Sequence, residues 1–347
     1  MRQLRHPLTW LLLATALAYL NALVAGFQFD DFNIIVDNAR VHSLAAWWQS
    51  MPVIRPLLKL SYTLNWISGT GASGFHVVNL LLHLINVALL WHLSRFFPLP
   101  ATWDADRRGT HARVLLTLLF ALHPIQTESV TYISGRSMLL MTSFGLAALL
   151  CWLQAGQRAR PMAWRALALV LFAAAILSKE VAVVLPLALL LLRGREPTPG
   201  WQLPLLALFV TATVLLLFAL FGYQRLLSMP LPRGLFANLA SEAHALYYLL
   251  GQLLRPHALN IDPDLPELTA WSVPLVLELS GIAGAILLAW QQRRHRCWLS
   301  FGIGWLVLML LPTHTLIPRL DLASERHLYL SAMGLYWLAG VALVWLP

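Results

Sequence analysis

Residues 134–156 of the chain read SGRSMLLMTSFGLAALLCWLQAG and contain one charged side chain, Arg136. About 20 apolar residues in succession are enough to cross a bilayer as a helix. The whole chain shares this character, with 59% hydrophobic residues, 11% charged residues and a mean hydropathy of +0.68. A soluble domain carries about 25% charged residues. The sequence therefore predicts an all-α, polytopic bundle of transmembrane helices and excludes a soluble fold.

Other apolar stretches lie on both sides of this one. Together they predict ten spans, near residues 8–27, 75–97, 112–124, 134–156, 164–178, 180–192, 202–222, 273–290, 298–312 and 329–346. Segment 241–255 is ambiguous: it is re-entrant or interfacial with ten spans, and a crossing would make eleven. The first run lacks a signal-peptide cleavage site, which favours an uncleaved first span.

The charges between the spans predict the orientation. With the N-terminus in the cytoplasm, the loops on that side hold most of the basic residues, and most acidic residues lie on the other side. This distribution satisfies the positive-inside rule, so the net charge of +9 reports topology rather than nucleic-acid binding. We expect residues 1–347 to form one membrane-embedded domain with a structured outer loop at 28–74 and no soluble C-terminal domain.

An acidic pair, Asp30 and Asp31, lies just beyond the first apolar run. Adjacent carboxylates at a membrane boundary repel each other and are costly to desolvate, so at least one should have a raised pKa. Phe29 and Phe32 are expected to bury the pair, which would suit a general base for an acceptor hydroxyl. The alternative is a solvated helix end that only marks topology.

Glu128 and Arg136 are the second outer cluster. Both are predicted to lie at or near membrane depth, where ionisable residues are functional candidates. The competing interpretation is a Glu128–Arg136 ion pair that joins two helix ends.

Two more outer acid–base clusters follow. Lys179 and Glu180 separate two apolar runs, and Lys179 either binds a phosphate or pairs with Glu180. Residues 321–326 combine Asp321, Glu325 and Arg326, with Arg319 nearby. Arginine suits a phosphate because its planar fork can bind two oxygens.

Three polar residues, His76, Asn79 and His83, fall on one face of the second span. No acidic residue shares that face, which argues against a metal site. Hydrogen-bonded polar residues inside the bundle or along a cavity are favoured. The sequence predicts no cofactor; the alternative is a divalent metal, which the ligand spacing does not support.

Several short motifs occur in an order that resembles a known family. They are residues 29–38 (FDDFNIIVDN), 55–57 (RPL), 74–83 (GFHVVNLLLH), 120–130 (FALHPIQTESV), 135–136 (GR), 178–180 (SKE) and 325–330 (ERHLYL). The set is similar to the transmembrane-and-tetratricopeptide O-mannosyltransferases and their bacterial relatives, within the C-type (GT-C) membrane glycosyltransferases.

The resemblance implies transfer of a sugar from a polyprenyl or dolichyl phosphate to a hydroxyl group, with inversion, on the periplasmic or lumenal face of a membrane, here a bacterial inner membrane. It implies that Asp30 is the catalytic base, with Asp31 and Glu128 as the other catalytic candidates. The donor phosphate would be bound by Arg136, Lys179 and Arg326. The residues expected to line the acceptor cavity are Arg55, His76, Asn79, His83, Glu180, Glu325 and Tyr329.

One departure leaves the acceptor open. The family's tetratricopeptide array, a repeat of about 34 residues, is expected to be absent here, so the acceptor is a protein serine or threonine, a glycan or a lipid. A transporter or flippase of lipid-linked sugars is the alternative function. It is less favoured because the sequence shows no matching halves. A scaffold would not need several acid–base clusters on one face.

Overall fold

A computed structural model of the chain describes residues 5–103, 107–192, 200, 202–220, 233–314 and 321–345. These residues form helices and no strands, which confirms the all-α prediction. In chain order the α-helices are α1 Arg5–Ala18, α2 Leu44–Gln49, α3 Pro56–Ile67, α4 Gly71–Leu93, α5 Arg107–Leu122, α6 Thr127–Val130, α7 Arg136–Gln154, α8 Pro161–Ser178, α9 Leu185–Leu192, α10 Gln202–Leu220, α11 Leu235–Leu254, α12 Val273–Gln292, α13 Cys297–Leu310, α14 Leu328–Ser331 and α15 Met333–Trp345.

The helices support a multi-pass membrane protein. Five segments of the described chain are long and apolar enough to cross a bilayer, namely Pro7–Val24, Gly71–Phe96, Ile133–Gln157, Pro161–Ser178 and Val273–Gln292. A sixth is counted if Glu325–Ser331 and Met333–Trp345, bent by 58°, form one broken span. Shorter apolar helices lie at Glu180–Leu192, Pro204–Leu216 and Cys297–Leu310. The helical class is thus confirmed, whereas a total of ten crossings stays a prediction.

Local sequence explains where several helices begin. The hydroxyl of Ser43 caps α2 by accepting a hydrogen bond from the amide of Ala46 at 3.1 Å. Ser272 caps α12 in the same way through the amide of Leu275 at 3.3 Å. Pro56 is the first residue of α3, where a missing amide hydrogen costs no intrahelical bond. Helices α2 and α3 occupy the loop at 28–74, which the sequence predicted to be structured.

Contacts divide the chain into two compact units, of which the first comprises residues 1–95, 127–189 and 198–228. Its centre is a layer in which α7 packs between α4 and α8. Polar groups join α4 to α7: Asn86 donates to the carbonyl of Leu139 at 3.1 Å and accepts from Ser143 at 2.7 Å. Such interhelical hydrogen bonds hold membrane helices together where lipid offers no partner.

The second unit comprises residues 96–126, 190–197 and 229–347. Helix α15 packs against α5 and α13. Gly302 of α13 faces Gly334, just inside α15, so closely that a Cβ atom on Gly334 would collide with the Gly302 carbonyl oxygen. Small residues allow this approach between backbones, as at many membrane-helix interfaces. The ambiguous segment 241–255 largely lies within α11, a continuous helix that packs on α12.

The predicted orientation can be tested with single cysteines, after Cys151 and Cys297 are replaced by serine. Ala101, His295 and Ala39 are exposed in the structure. We expect cysteines at Ala101 and His295 to be shielded from an impermeant thiol reagent in intact cells, and a cysteine at Ala39 to react. Permeabilised cells provide the control, because all three should then be labelled. Labelling of the Ala101 variant in intact cells would show that the predicted orientation is wrong.

Candidate active site

The carboxylate of Asp31 is fixed inside the first unit. It is 1% exposed, and its two oxygens accept three hydrogen bonds. Oδ1 accepts from the backbone amide of Ser134 at 2.9 Å and from the Ser134 hydroxyl at 2.6 Å, and Oδ2 accepts from the amide of Gln28 at 3.0 Å. Burial raises the pKa of Asp31, and the hydrogen bonds from Ser134 and Gln28 oppose that shift. Asp31 therefore anchors the loop at 28–74 to the start of α7.

The neighbouring Asp30 has the opposite environment, because it is exposed. Phe29 and Phe32 are 63% and 47% exposed, so the prediction that they bury the acidic pair is wrong. The reason is local backbone geometry. Phe29 has a left-handed φ of 45°, and the turn it makes directs Asp31 inward and leaves Asp30 at the surface.

Tyr132 lies beside Asp30 and was not predicted. Its hydroxyl oxygen accepts a hydrogen bond from the amide of Asp30 at 3.0 Å, and its ring meets Phe29 edge to face at 6.4 Å. Burial raises the pKa of Tyr132 to about 12. The phenol therefore stays protonated at neutral pH and can donate a hydrogen bond next to Asp30.

Arg136 is fully buried at the start of α7. Its guanidinium donates to the side-chain oxygen of Asn79 at 2.8 Å and to the carbonyls of Phe75 at 2.9 Å and Ser61 at 3.2 Å. Two aromatic rings, of Tyr62 and Phe75, lie 5.1 and 5.0 Å from its central carbon. Arg136 thus joins α3, α4 and α7. It does not make the ion pair with Glu128 that was the competing interpretation. Its role as a phosphate ligand stays a prediction.

The polar face of α4 is buried as a whole, with His76 3%, Asn79 0% and His83 0% exposed. Asn79 also donates to the carbonyls of Val130 at 3.3 Å and Tyr132 at 3.2 Å, which ties α4 to the segment that carries Glu128. His83 packs edge to face on Tyr19 at 5.3 Å. The prediction of polar residues bonded inside the bundle is confirmed for Asn79.

Glu128 lies on the four-residue helix α6 and is 7% exposed. The carbonyl oxygens of Glu128 and Ser129 lie 2.6 Å from the position that a Cβ atom on Gly135 would occupy. Only glycine fits so close to these carbonyl oxygens. Gly135 therefore lets the segment that carries Glu128 pack against the start of α7. Glu128 and Asp31 accordingly belong to the same unit.

A paired arginine and glutamate connect the loop at 28–74 to the turn after α8. Arg55 Nε donates to Glu180 Oε2 at 2.9 Å, and Arg55 Nη2 donates to Oε1 at 2.5 Å. Glu180 therefore pairs with Arg55, whereas the sequence offered Lys179 as its partner. Lys179 is 2% exposed. Arg55 has a left-handed φ of 56°, so its backbone is strained at this contact.

The loop at 28–74 also contains a cationic cavity that the sequence did not predict. It has a volume of about 620 Å³, and Arg40 and Lys59 line it. Burial lowers the pKa of Lys59, and the charges of Arg40 and Arg55 lower it further. Basic residues that repel one another around a cavity favour an anion there. Arg40 and Lys59 are far apart along the chain, so no local sequence motif indicated this cavity.

In the second unit, the predicted residues lie near the start of α14. Glu325 is 3% exposed and accepts a hydrogen bond from the amide of Asn260 at 2.7 Å. Arg326 lies 3.6 Å from Asp321, and Arg319 falls outside the described residues. Tyr329 is fully buried, with its ring 5.1 Å from that of Phe120. The contacts of Glu325, Arg326 and Tyr329 described here are therefore all made within the second unit.

A buried acid–histidine cluster in the second unit was missed. Glu242 Oε2 lies 2.6 Å from His314 Nδ1, and His314 Nε2 lies 3.3 Å from His327 Nδ1. Arg233 is 4.0 Å from the other oxygen of Glu242. The available signal was Glu242 itself, an acidic residue within an otherwise apolar segment. Among the described residues, no group of three or more His, Cys, Asp or Glu side chains could hold a metal ion.

Comparison with curated proteins identifies relatives. The chain is 31% identical over 299 residues to protein O-mannosyl-transferase Tmtc2 of Drosophila melanogaster, a match that covers 73% of this chain and 30% of the fly protein. It is 31% identical to human TMTC3 over 183 residues (48% of this chain, 19% of TMTC3). It is 34% identical to mouse TMTC4 over 185 residues (45% and 25%). No protein-family model and no solved structure matches the chain.

The helices and the polar residues held among them define an all-α, multi-pass membrane protein with acid–base groups buried at the helix ends. The chain is a relative of the TMTC protein O-mannosyl-transferases, as its ordered motifs predicted. It spans less than a third of the length of these three proteins.

Proposed function

We propose that the chain is a membrane glycosyltransferase that moves a sugar from a polyprenyl-phosphate donor to a serine or threonine hydroxyl of a protein. The observation that carries the proposal is the asymmetry of the acidic pair. Three hydrogen bonds hold the carboxylate of Asp31 in the interior. The adjacent Asp30 is exposed and lies beside Tyr132. The names of the relatives, protein O-mannosyl-transferases, support the same class of reaction.

In the proposed reaction, Asp30 accepts the proton of the acceptor hydroxyl as its oxygen attacks the anomeric carbon. The bond from that carbon to the phosphate oxygen breaks, and the polyprenyl phosphate leaves with the bonding electrons. A single displacement inverts the anomeric centre. Asp31 holds the loop. The candidate cations for the donor phosphate in the same unit as Asp30 are Lys179, Arg40 and Lys59, and Arg326 stays a separate prediction. The reaction would take place on the periplasmic face of a bacterial inner membrane.

The test is sugar transfer by the purified full chain in nanodiscs. A polyprenyl-phosphate mannose donor is offered with a serine- and threonine-containing peptide, and mass spectrometry detects the product. We expect a hexose on the peptide with the anomeric configuration opposite to that of the donor. A glycan or lipid product without a peptide product would change the acceptor. Movement of the donor across liposomes without any transfer would contradict the proposal and support a transporter.

A further inference from the structure

A pocket of about 560 Å³ lies in the first unit, where α3 ends and α4 begins. Its lining residues take no part in the proposed transfer reaction, and none of them is charged. They are the apolar residues Leu64, Val77 and Val78, the polar residues Asn65, Ser68, Thr70 and Ser73, and Gly74. The volume is within the range of about 300–1,000 Å³ that is usual for sites of small ligands. The pocket therefore joins hydrogen-bonding groups to an apolar wall.

Asn65 is a buried polar residue at this pocket. It is 8% exposed, and its side-chain Oδ1 has no hydrogen-bond partner in the part of the chain that the structure describes. A buried polar group without a partner destabilises a fold, so its presence calls for an explanation. A carboxamide carries a donor and an acceptor at its two ends. Asn65 can therefore form a hydrogen bond with a ligand that enters the pocket.

The start of α4 also lines the pocket, and no side chain caps it. Thr70 is the residue before the helix, and its hydroxyl makes no capping hydrogen bond. That hydroxyl lies instead 2.9 Å from the hydroxyl of Ser68, and it packs so closely over Gly74 that a Cβ atom there would collide with it. The first amides of a helix have no partner within the helix and carry partial positive charge. The uncapped start of α4 therefore favours an anionic oxygen.

An exposed apolar row continues from the pocket along α4. Val77, Leu81 and Ile85 recur every four residues and are 42%, 53% and 48% exposed. They belong to Gly71–Phe96, one of the segments that are long and apolar enough to cross a bilayer. Residues four apart share one face of a helix, so this row presents a continuous apolar surface to acyl chains. The first turn of α4 then lies at the depth of the phospholipid headgroups.

We propose that this pocket binds the phosphate of a phospholipid, with an acyl chain along Val77, Leu81 and Ile85. The phosphate oxygens accept hydrogen bonds from the first amides of α4, from the hydroxyl of Ser73 and from the amino group of Asn65. Because no charged residue lines the pocket, it recognises the phosphate group rather than a net negative charge, and a zwitterionic phospholipid is sufficient. The site does not depend on the proposed transferase reaction.

The experiment uses the full chain in maltoside micelles with a phosphatidylcholine that carries a photoreactive group in one acyl chain, near the glycerol. The matching probe is a diacylglycerol with the same chains and no phosphate. We expect the phosphatidylcholine crosslinks to map to residues 64–85 and to exceed the diacylglycerol crosslinks there about tenfold. The double variant Asn65→Leu, Ser73→Ala should lower the phosphatidylcholine crosslinks by a similar factor, because two hydrogen bonds to the phosphate are lost.

The double variant Asn21→Leu, Ser280→Ala is the matched control. It makes the same two changes at exposed positions that do not line the pocket, and its labelling should stay within about twofold of the wild type. Thermal unfolding checks the fold of each variant. Asn65→Leu breaks no side-chain hydrogen bond within the described chain, so it should not lower the thermal stability.

Three results would overturn the proposal. The first is equal labelling of the wild type by the two probes, which would show that the pocket does not recognise the phosphate. This comparison needs no variant, so it decides even if a substitution lowers stability. The second is equal labelling of the wild type and the pocket variant by phosphatidylcholine. The third is competition by a polyprenyl phosphate but not by unlabelled phosphatidylcholine, which would assign the pocket to the donor lipid.

Discussion

Asp30→Asn is expected to lower the rate of sugar transfer by about 10²–10⁴-fold, the usual contribution of a general base. The amide keeps the size of the carboxylate but cannot accept the acceptor's proton. Because Asp30 is exposed and its backbone amide makes the bond to Tyr132, the substitution leaves that contact in place. Donor binding and thermal stability should therefore stay close to the wild type. Single-turnover transfer from a labelled polyprenyl-phosphate donor measures the effect.

Two variants of the same loop separate chemistry from structure. Asp37→Asn is the matched control, since Asp37 is exposed and lies seven residues further along the chain, and its transfer rate should be unchanged. Asp31→Asn should lower thermal stability as well as transfer, because its amide nitrogen must face an N–H group of Gln28 or Ser134. Near wild-type transfer by Asp30→Asn would refute its role and make Asp31 or Glu128 the next candidate.

Arg136→Met is expected to lower the free energy of unfolding by about 3 kcal/mol. The flexible thioether fills part of the space but leaves the side-chain oxygen of Asn79 buried without its charged partner. It also releases the link between α3, α4 and α7. Chemical denaturation of the purified chain in detergent micelles, followed by intrinsic fluorescence, measures the difference.

Arg158→Met serves as the control for this effect. Arg158 is exposed after α7, where its guanidinium donates to Gln154 at 2.6 Å. Exposed substitutions of this kind usually change stability by less than about 0.5 kcal/mol. If Arg136→Met unfolded at the same denaturant concentration as Arg158→Met but no longer bound a polyprenyl-phosphate donor, Arg136 would be a donor ligand after all, and its structural role would be wrong.

The candidate site was predictable to different degrees. The motifs that contain Asp30, Asp31 and Glu128 were visible in sequence because acidic residues at the ends of apolar runs are rare. The different environments of Asp30 and Asp31 were not, because a left-handed Phe29 decides which carboxylate turns inward. The pairing of Arg55 with Glu180 joins residues 125 positions apart, and no local pattern encodes that contact.

The sequence by itself determined that the chain is a helical, multi-pass membrane protein. In a bilayer every backbone amide and carbonyl needs a partner within the chain. A helix supplies these partners within each long apolar run. Tertiary structure decided which polar side chains are anchors and which stay accessible. Arg136 and Asp31 are anchors because long-range packing supplies carbonyls and amides to their side chains. The side chain of Asp30 stays accessible because the left-handed turn at Phe29 leaves it at the surface.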